Sequence, residues 1–181
     1  MLAKLYPNAY ISSMMNLGPE FLAKKGIRAL ILDLDNTLLA WKNGVFEPDM
    51  VNHLKAYKDL GIKLCVVTNA FNKRVTALVG PLGIPWVARA GKPRRRPFIK
   101  ALKILGTTEA ETAVVGDQLF TDVLGGNRMG LFTILVMPIN KKEFIGTRVI
   151  RLAEKYCLLR MAKKGLIEIP RKETLRDKSR G

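Results

Sequence analysis

The sequence predicts an α/β fold in which a mainly parallel sheet of five strands lies between two layers of helices. In the middle of the 181-residue chain, short apolar runs alternate with helix-sized segments, and a glycine follows each of four such segments. Strands alternating with helices are typical of parallel sheets covered on both faces. With 48% hydrophobic residues, the chain can also bury a core of ordinary size.

Five apolar runs are the predicted strands. The first, RALILDL, is almost uninterrupted, and the later runs repeat its character. The strands are expected at residues 28–34, 63–68, 86–88, 112–116 and 132–136.

Four helices are predicted between the strands, at residues 48–60, 72–82, 97–105 and 121–129. Proline at position 48 suits the first turn of a helix. Glycine follows these segments at positions 61, 83, 106 and 130. A left-handed helix stop favours glycine at such positions.

The flanking segments differ from this core, which we place at residues 28–138. Residues 1–27 are interpreted as an N-terminal extension. Residues 139–181 carry 13 Lys and Arg against 5 Asp and Glu. An apolar helical face, opposed by a basic one, is predicted there, with a frayed polar end from residue 170. Its apolar members are Ile145, Val149, Leu152, Tyr156 and Leu159, and the opposing cations are Arg148, Arg151, Lys155 and Lys163.

The chain is strongly basic, with 31 Lys and Arg, 15 Asp and Glu, and a net charge of +16. An anionic partner is therefore expected: nucleic acid, an acidic lipid surface or a phosphorylated compound. No apolar stretch reaches the ~20 residues of a membrane-spanning helix, and the first residues lack the order of a secretory signal. Isolated Cys65 and Cys157 indicate a reducing compartment. We expect a cytoplasmic protein, with peripheral contact to the inner membrane face left open.

Polar side chains gather where the predicted strands end, the edge at which parallel sheets bind ligands. They are Asp33, Asp35, Thr68, Asn69, Lys92, Asp117 and Asp122. Bare buried aspartates are costly unless a cation or other counter-charge compensates them. Carboxylates without nearby His or Cys favour Mg²⁺ over zinc.

These residue types can transfer a phosphoryl group through an aspartyl-phosphate. Asp33 would attack phosphorus. Asp35, two residues further along an extended chain, lies on the same side. It would protonate the leaving alkoxide and then activate water.

The remaining polar residues would bind phosphate or metal. Thr68 and Asn69 would donate hydrogen bonds to the phosphoryl oxygens, and Lys92 would stabilise the transition-state charge. Asp117 would hold the metal together with Asp33. Asp122 would support the metal or orient Lys92.

Four segments, DLDNTLL (33–39), VVTNA (66–70), GKP (91–93) and GDQLFTD (116–122), resemble the four motifs of the haloacid dehalogenase superfamily in order and spacing. The form of the first motif and Trp41 resemble more narrowly the subclass IIIA phosphatases, whose relatives include phosphatidylglycerophosphate phosphatases. The superfamily resemblance implies a Rossmann-like sheet and Mg²⁺ held by Asp33, the Asp35 main-chain carbonyl and Asp117. It also implies that Thr68 and Lys92 grip the phosphate.

No cap domain is expected, since residues 36–63 and 70–91 have room only for a loop, a helix and at most a short strand. An open site admits a bulky substrate. Seven cations and no acidic residue lie between positions 89 and 103. Arg94, Arg95 and Arg96 are the predicted substrate contacts among them, because they are adjacent to Lys92. Such a rim suits a phosphate on an acidic lipid.

The sequence thus favours an Mg²⁺-dependent phosphatase that converts phosphatidylglycerophosphate to phosphatidylglycerol at the cytoplasmic membrane face. A phosphatase of soluble sugar, nucleotide or nucleic-acid-end phosphates is an alternative. A basic RNA- or ribosome-binding module with a vestigial site is another. The intact set of five motif residues argues against that module, so no nucleic-acid partner is expected.

Overall fold

A computed structural model describes residues 2–40, 44–140 and 145–170. Six parallel strands form one sheet in the order β1-β6-β5-β2-β3-β4. The strands are β1 (Ala9–Ile11), β2 (Ala29–Leu32), β3 (Lys63–Val67), β4 (Trp86–Val87), β5 (Thr112–Gly116) and β6 (Phe132–Val136). The parallel α/β prediction is confirmed, with β2 at the centre of the sheet.

The helices are α1 (Pro19–Lys24), α2 (Pro48–Asp59), α3 (Asn72–Val79), α4 (Arg95–Leu105), α5 (Leu124–Met129) and α6 (Ile145–Lys163). A 3-10 turn, Gly80–Leu82, extends α3, and a π-helical turn, Leu119–Val123, precedes α5. The four predicted glycine stops all have left-handed backbone, with φ from 60° to 77°.

Alternate residues of the central strand pack on opposite faces of the sheet, as the period of two requires. Leu30 and Leu32 face one core layer, which includes side chains of α1, α2 and α3. Ile31 faces the other, which α4 and α5 cover through residues such as Phe98 and Met129. Helices on both faces give the three-layer α/β/α sandwich expected of a Rossmann-like fold.

The sheet has one strand more than the five predicted. The additional strand, β1, lies in the N-terminal segment and pairs with β6 from Ala9 to Ile11. Three residues are too few to show a strand periodicity in sequence, and β1 forms because the open edge of β6 supplies its hydrogen-bonding partner. Residues of the N-terminal segment therefore complete the sheet.

Helix α6 packs beside the carboxyl end of the sheet through Met161, Cys157 and Leu158, which contact a small core cluster containing Leu119 and Leu135. The described members of the predicted apolar face are exposed instead.

Leu152, Tyr156 and Leu159 are 69%, 61% and 45% exposed, and we call them the outer ridge of α6. Trp41, residues 171–181 and the side chains of Ile145, Arg148 and Val149 lie outside the described parts of the chain.

Candidate active site

The first candidate residues follow β2 directly. The Asp33 amide donates to the Val115 carbonyl at 2.9 Å, which continues the sheet past Leu32. Asn36 then adopts a left-handed conformation with φ 63°, a region that asparagine tolerates better than most residues. The resulting turn brings the buried Thr37 hydroxyl within 3.3 Å of Asp33 Oδ2 and 3.4 Å of Asp117 Oδ1.

Three buried carboxylates, those of Asp33, Asp117 and Asp122, form the centre of the site. One oxygen from each lies within 4.8 Å of the others. Burial raises the pKa of Asp33 to about 6, with Lys92 opposing the shift, and raises that of Asp117 well above its ordinary value, with Arg151 opposing it. The raised pKa values mean that burial disfavours the charged form of these carboxylates. A hard divalent cation such as Mg²⁺ would supply the counter-charge, and clustered carboxylate oxygens are ligands that suit it.

Lys92 is the cation buried among these carboxylates. Its Nζ lies 2.6 Å from Asp33 Oδ1 and 2.6 Å from Asp122 Oδ1, and its side chain is 3% exposed. Burial alone would lower the pKa of Lys92, but the two carboxylates outweigh it and raise the pKa. Asn69 fixes the same loop, because its Oδ1 accepts the Lys92 amide at 3.0 Å.

The position of Asp122 depends on the close approach of its carboxyl group to the backbone at Gly116. Asp122 lies on the π-helical turn, and its Oδ2 accepts the Gln118 amide at 3.2 Å. A Cβ at position 116 would overlap the Asp122 carboxyl group, so only glycine fits at the end of β5. The glycine of the fourth motif therefore makes room for the carboxylate that holds Lys92.

The Thr68 side chain is buried at the end of β3, and its Oγ1 accepts the Ala70 amide at 3.1 Å. A hydroxyl that accepts one bond still has a hydrogen to donate, as a phosphate-binding group needs. Asp35 lies outside the carboxylate cluster and pairs with Arg74 of α3. Arg74 Nη1 is 2.7 Å from Asp35 Oδ1 and 2.9 Å from Oδ2.

The C-terminal helix also reaches the site. Arg151 Nη2 donates to Asp117 Oδ2, and Arg151 Nη1 donates to the Asp117 carbonyl at 2.6 Å and to Glu154 Oε2 at 2.8 Å. Sequence reasoning placed Arg151 on the basic face of the tail helix and did not select it for the site. It also missed Thr37, Arg74 and Glu154. Only Thr37, inside the first motif, carried a signal that could have been found.

The arginines of the predicted rim are exposed. Arg94, Arg95 and Arg96 lie at the start of α4, two to four residues beyond Lys92. The guanidinium of Arg89 stacks 5.2 Å from the ring of Phe71, which is 69% exposed. Between the motifs, the described residues form α2 in one interval, and α3, the 3-10 turn and β4 in the other. These elements belong to the sandwich itself, so this part of the chain adds no cap over the site.

Comparison with known proteins identifies the family of this chain. The profile of the haloacid dehalogenase-like hydrolases matches residues 47–130. A probable phosphatase of Bacillus subtilis, YqeG, is 36% identical over 169 residues, covering 93% of this chain and 98% of that protein. The chain belongs to the haloacid dehalogenase-like hydrolase family and is a phosphoric monoester hydrolase.

Two further relatives are informative. Phosphatidylglycerophosphate phosphatase 1 of Arabidopsis thaliana is 29% identical over 171 residues, covering 88% of this chain and 49% of that protein. A solved subfamily III A hydrolase of this superfamily from Legionella pneumophila superposes with a TM-score of 0.52 at 25% identity, covering 81% of this chain and 91% of that one. No helix among the described residues is both long and apolar enough to cross a bilayer.

Proposed function

We propose that this hydrolase is an Mg²⁺-dependent phosphatase that removes the terminal phosphate of phosphatidylglycerophosphate through a phospho-Asp33 intermediate. The observation that carries the proposal is the buried cluster of three carboxylates around Lys92. Such a cluster is unfavourable unless it binds cations. A binding module would have no need to maintain it.

The proposed reaction has two steps. An Asp33 oxygen attacks phosphorus, and the bond from phosphorus to the substrate's alkoxide oxygen breaks. Asp35 donates a proton to that oxygen. In the second step Asp35 takes a proton from water, whose oxygen attacks the same phosphorus and releases phosphate and Asp33.

Lys92 and Thr68 would stabilise the phosphoryl oxygens, by charge and by hydrogen bond. Asp33, Asp117 and the Asp35 carbonyl would hold Mg²⁺, with Asp122 supporting the set through Lys92. Bound there, the ion would neutralise the phosphoryl oxygens and allow a carboxylate to approach phosphorus.

Three features support a lipid substrate. The arginines after Lys92 are exposed beside the carboxyl end of the sheet, over which the described residues form no cap. The outer ridge of α6 presents apolar side chains near exposed Lys155 and Lys163. A cation held close to an anionic bilayer contributes about 1 kcal/mol to binding. In addition, a relative of this chain is named a phosphatidylglycerophosphate phosphatase. We therefore place the enzyme at the cytoplasmic membrane face, in reversible contact with anionic lipid.

The test compares turnover of phosphatidylglycerophosphate in anionic vesicles with turnover of soluble sugar phosphates, nucleotides and 5′-phosphorylated oligonucleotides, each with Mg²⁺ and with EDTA. We expect the lipid phosphate to have the highest kcat/KM and EDTA to abolish activity. Full activity on a soluble phosphate, with no association with vesicles at low salt, would favour the soluble-substrate phosphatase. Preferential binding of RNA without Mg²⁺-dependent turnover would favour the binding module.

A matched pair of variants tests the surface. Replacing Arg94, Arg95 and Arg96 with glutamine should weaken flotation with anionic vesicles and lower lipid turnover, while hydrolysis of a soluble aryl phosphate is retained. The control replaces the exposed Lys24, Lys25 and Arg28, which precede β2 and so lie toward the amino ends of the strands, away from the site. Equal losses in both variants would show that net charge alone, and not the rim, carries the association.

A further inference from the structure

The Arg151 guanidinium binds Asp117 at two points. One nitrogen bonds the carboxylate at Oδ2 and the other bonds the main-chain carbonyl of the same residue. A planar guanidinium reaches the two acceptors from two nitrogens held in a fixed fork, whereas the ammonium of lysine has a single nitrogen. The double contact fixes the Asp117 carboxylate relative to its own backbone.

This double contact, which we call the Arg151 clamp, determines which carboxylate oxygen of Asp117 faces the rest of the site. The Thr37 Oγ1 lies 3.4 Å from Asp117 Oδ1 and 3.3 Å from Asp33 Oδ2, so these two carboxylate oxygens lie around one hydroxyl. Oδ2, in contrast, is occupied by Arg151. Oδ1 is thus the Asp117 oxygen that faces Asp33.

The clamp is itself held in place. Glu154 is 3% exposed, and its Oε2 accepts from Arg151 at 2.8 Å. Its other oxygen, Oε1, accepts the Phe120 amide at 3.3 Å, on the π-helical turn that carries Asp122. Buried charges are retained in proteins only when they are paired, as these are. Helix α6 is therefore connected to both of the aspartates that follow β5.

We propose that Arg151 is a positioning residue of the phosphatase site, which holds Asp117 so that its Oδ1 is presented to the divalent cation. Helix α6 then contributes to the active site from outside the four motifs. The inference rests on the Mg²⁺ site of the proposed function. Groups that orient metal ligands from behind typically change metal affinity about 10–100-fold when they are replaced.

The test measures Mg²⁺ binding by titration calorimetry in wild type, Arg151→Gln and Arg151→Lys. The matched control is Arg160→Gln on the same helix, because Arg160 is exposed and contacts the ring and hydroxyl of Tyr156. We expect Arg151→Gln to bind Mg²⁺ about 10–100-fold more weakly. Arg151→Lys keeps the positive charge but not the forked guanidinium, so its Mg²⁺ affinity should lie between those of Arg151→Gln and wild type. The Mg²⁺ affinity of Arg160→Gln should equal that of wild type.

Two further readouts separate positioning from folding. Melting in EDTA reports the stability of each metal-free variant. On a soluble aryl phosphate, the Mg²⁺ concentration for half-maximal rate should rise for Arg151→Gln, while the rate at saturating Mg²⁺ stays within a few fold of wild type. A merely structural residue would lower the melting temperature without changing this concentration.

Unchanged or tighter Mg²⁺ binding in both Arg151 variants would overturn the inference, and tighter binding would mean that the guanidinium competes with the ion. If Arg151→Gln does not fold, Arg151→Lys alone decides. Absence of Mg²⁺ binding in wild type would overturn the metal site and the proposed function together. The two failures are therefore distinguishable.

Discussion

Replacing Lys92 with methionine removes the cation between two buried carboxylates and keeps most of the side-chain volume. Lys92 Nζ contacts Asp33 and Asp122 at 2.6 Å each, and the side chains of all three residues are at most 10% exposed. Removing one partner of a buried ion pair costs about 3–5 kcal/mol, because the remaining charge is left uncompensated. For a chain of this size, that loss lowers the melting temperature by roughly 6–20 °C.

The loss should depend on pH with a definite sign. Burial already raises the pKa of Asp33 to about 6, and without Lys92 this pKa rises further. The folded variant then binds a proton that the unfolded chain releases, so its stability relative to wild type increases as the pH falls from 8 to 5.

The assay is urea denaturation in EDTA at both pH values. Lys103→Met, at an exposed position of α4, is the control and should change stability by less than about 0.5 kcal/mol. The double variant Lys92→Met with Asp122→Asn should recover about 0.5–3 kcal/mol of the loss by coupling. Wild-type stability of Lys92→Met at pH 8 would refute the buried ion triplet.

Three more predictions concern catalysis and metal. Asp33→Asn should abolish turnover with circular dichroism unchanged, and a variant that keeps a tenth of the wild-type rate would exclude the covalent mechanism. Asp35→Asn should slow hydrolysis of an alkyl phosphate about 10²–10⁴-fold and an aryl phosphate less, because a good leaving group needs little protonation; equal losses would remove Asp35 from that role. Because protons compete with Mg²⁺ for Asp33, whose pKa burial raises to about 6, the stabilisation of the protein by Mg²⁺ should be larger at pH 7.5 than at pH 5 in thermal melts. A shift independent of pH would contradict that competition.

Much of the fold could be predicted from the sequence because the patterns that indicate it are local. An apolar run buried on both faces and a glycine at a left-handed helix stop are each visible within a few residues. The edge of the sheet that carries the candidate site follows from parallel topology, since polar residues after β2, β3 and β5 must meet there. Strand β1 could not be predicted from the sequence, because three residues are too few to form a periodic pattern.

The contribution of α6 could not be predicted for a different reason. Periodicity shows which residues share a helical face but not which face meets the core. In the structure the buried Asp117 carboxylate takes Arg151 as its partner. Helix α6 docks through the face that contains Arg151, Glu154 and Met161. Leu152 and Tyr156, which belong to the outer ridge, face away from the core. A contact over 34 positions depends on tertiary packing, which no local pattern encodes.

The most direct test of the central claim is to isolate the covalent intermediate. The Asp35→Asn variant, incubated with Mg²⁺ and an aryl phosphate and quenched in acid, should carry one added phosphoryl group on the peptide that contains Asp33. The group should be absent after incubation with EDTA and absent in the Asp33→Asn variant. Turnover of the substrate by wild type with no phosphorylated peptide in any quenched sample, or phosphate on a different residue, would contradict nucleophilic attack by Asp33.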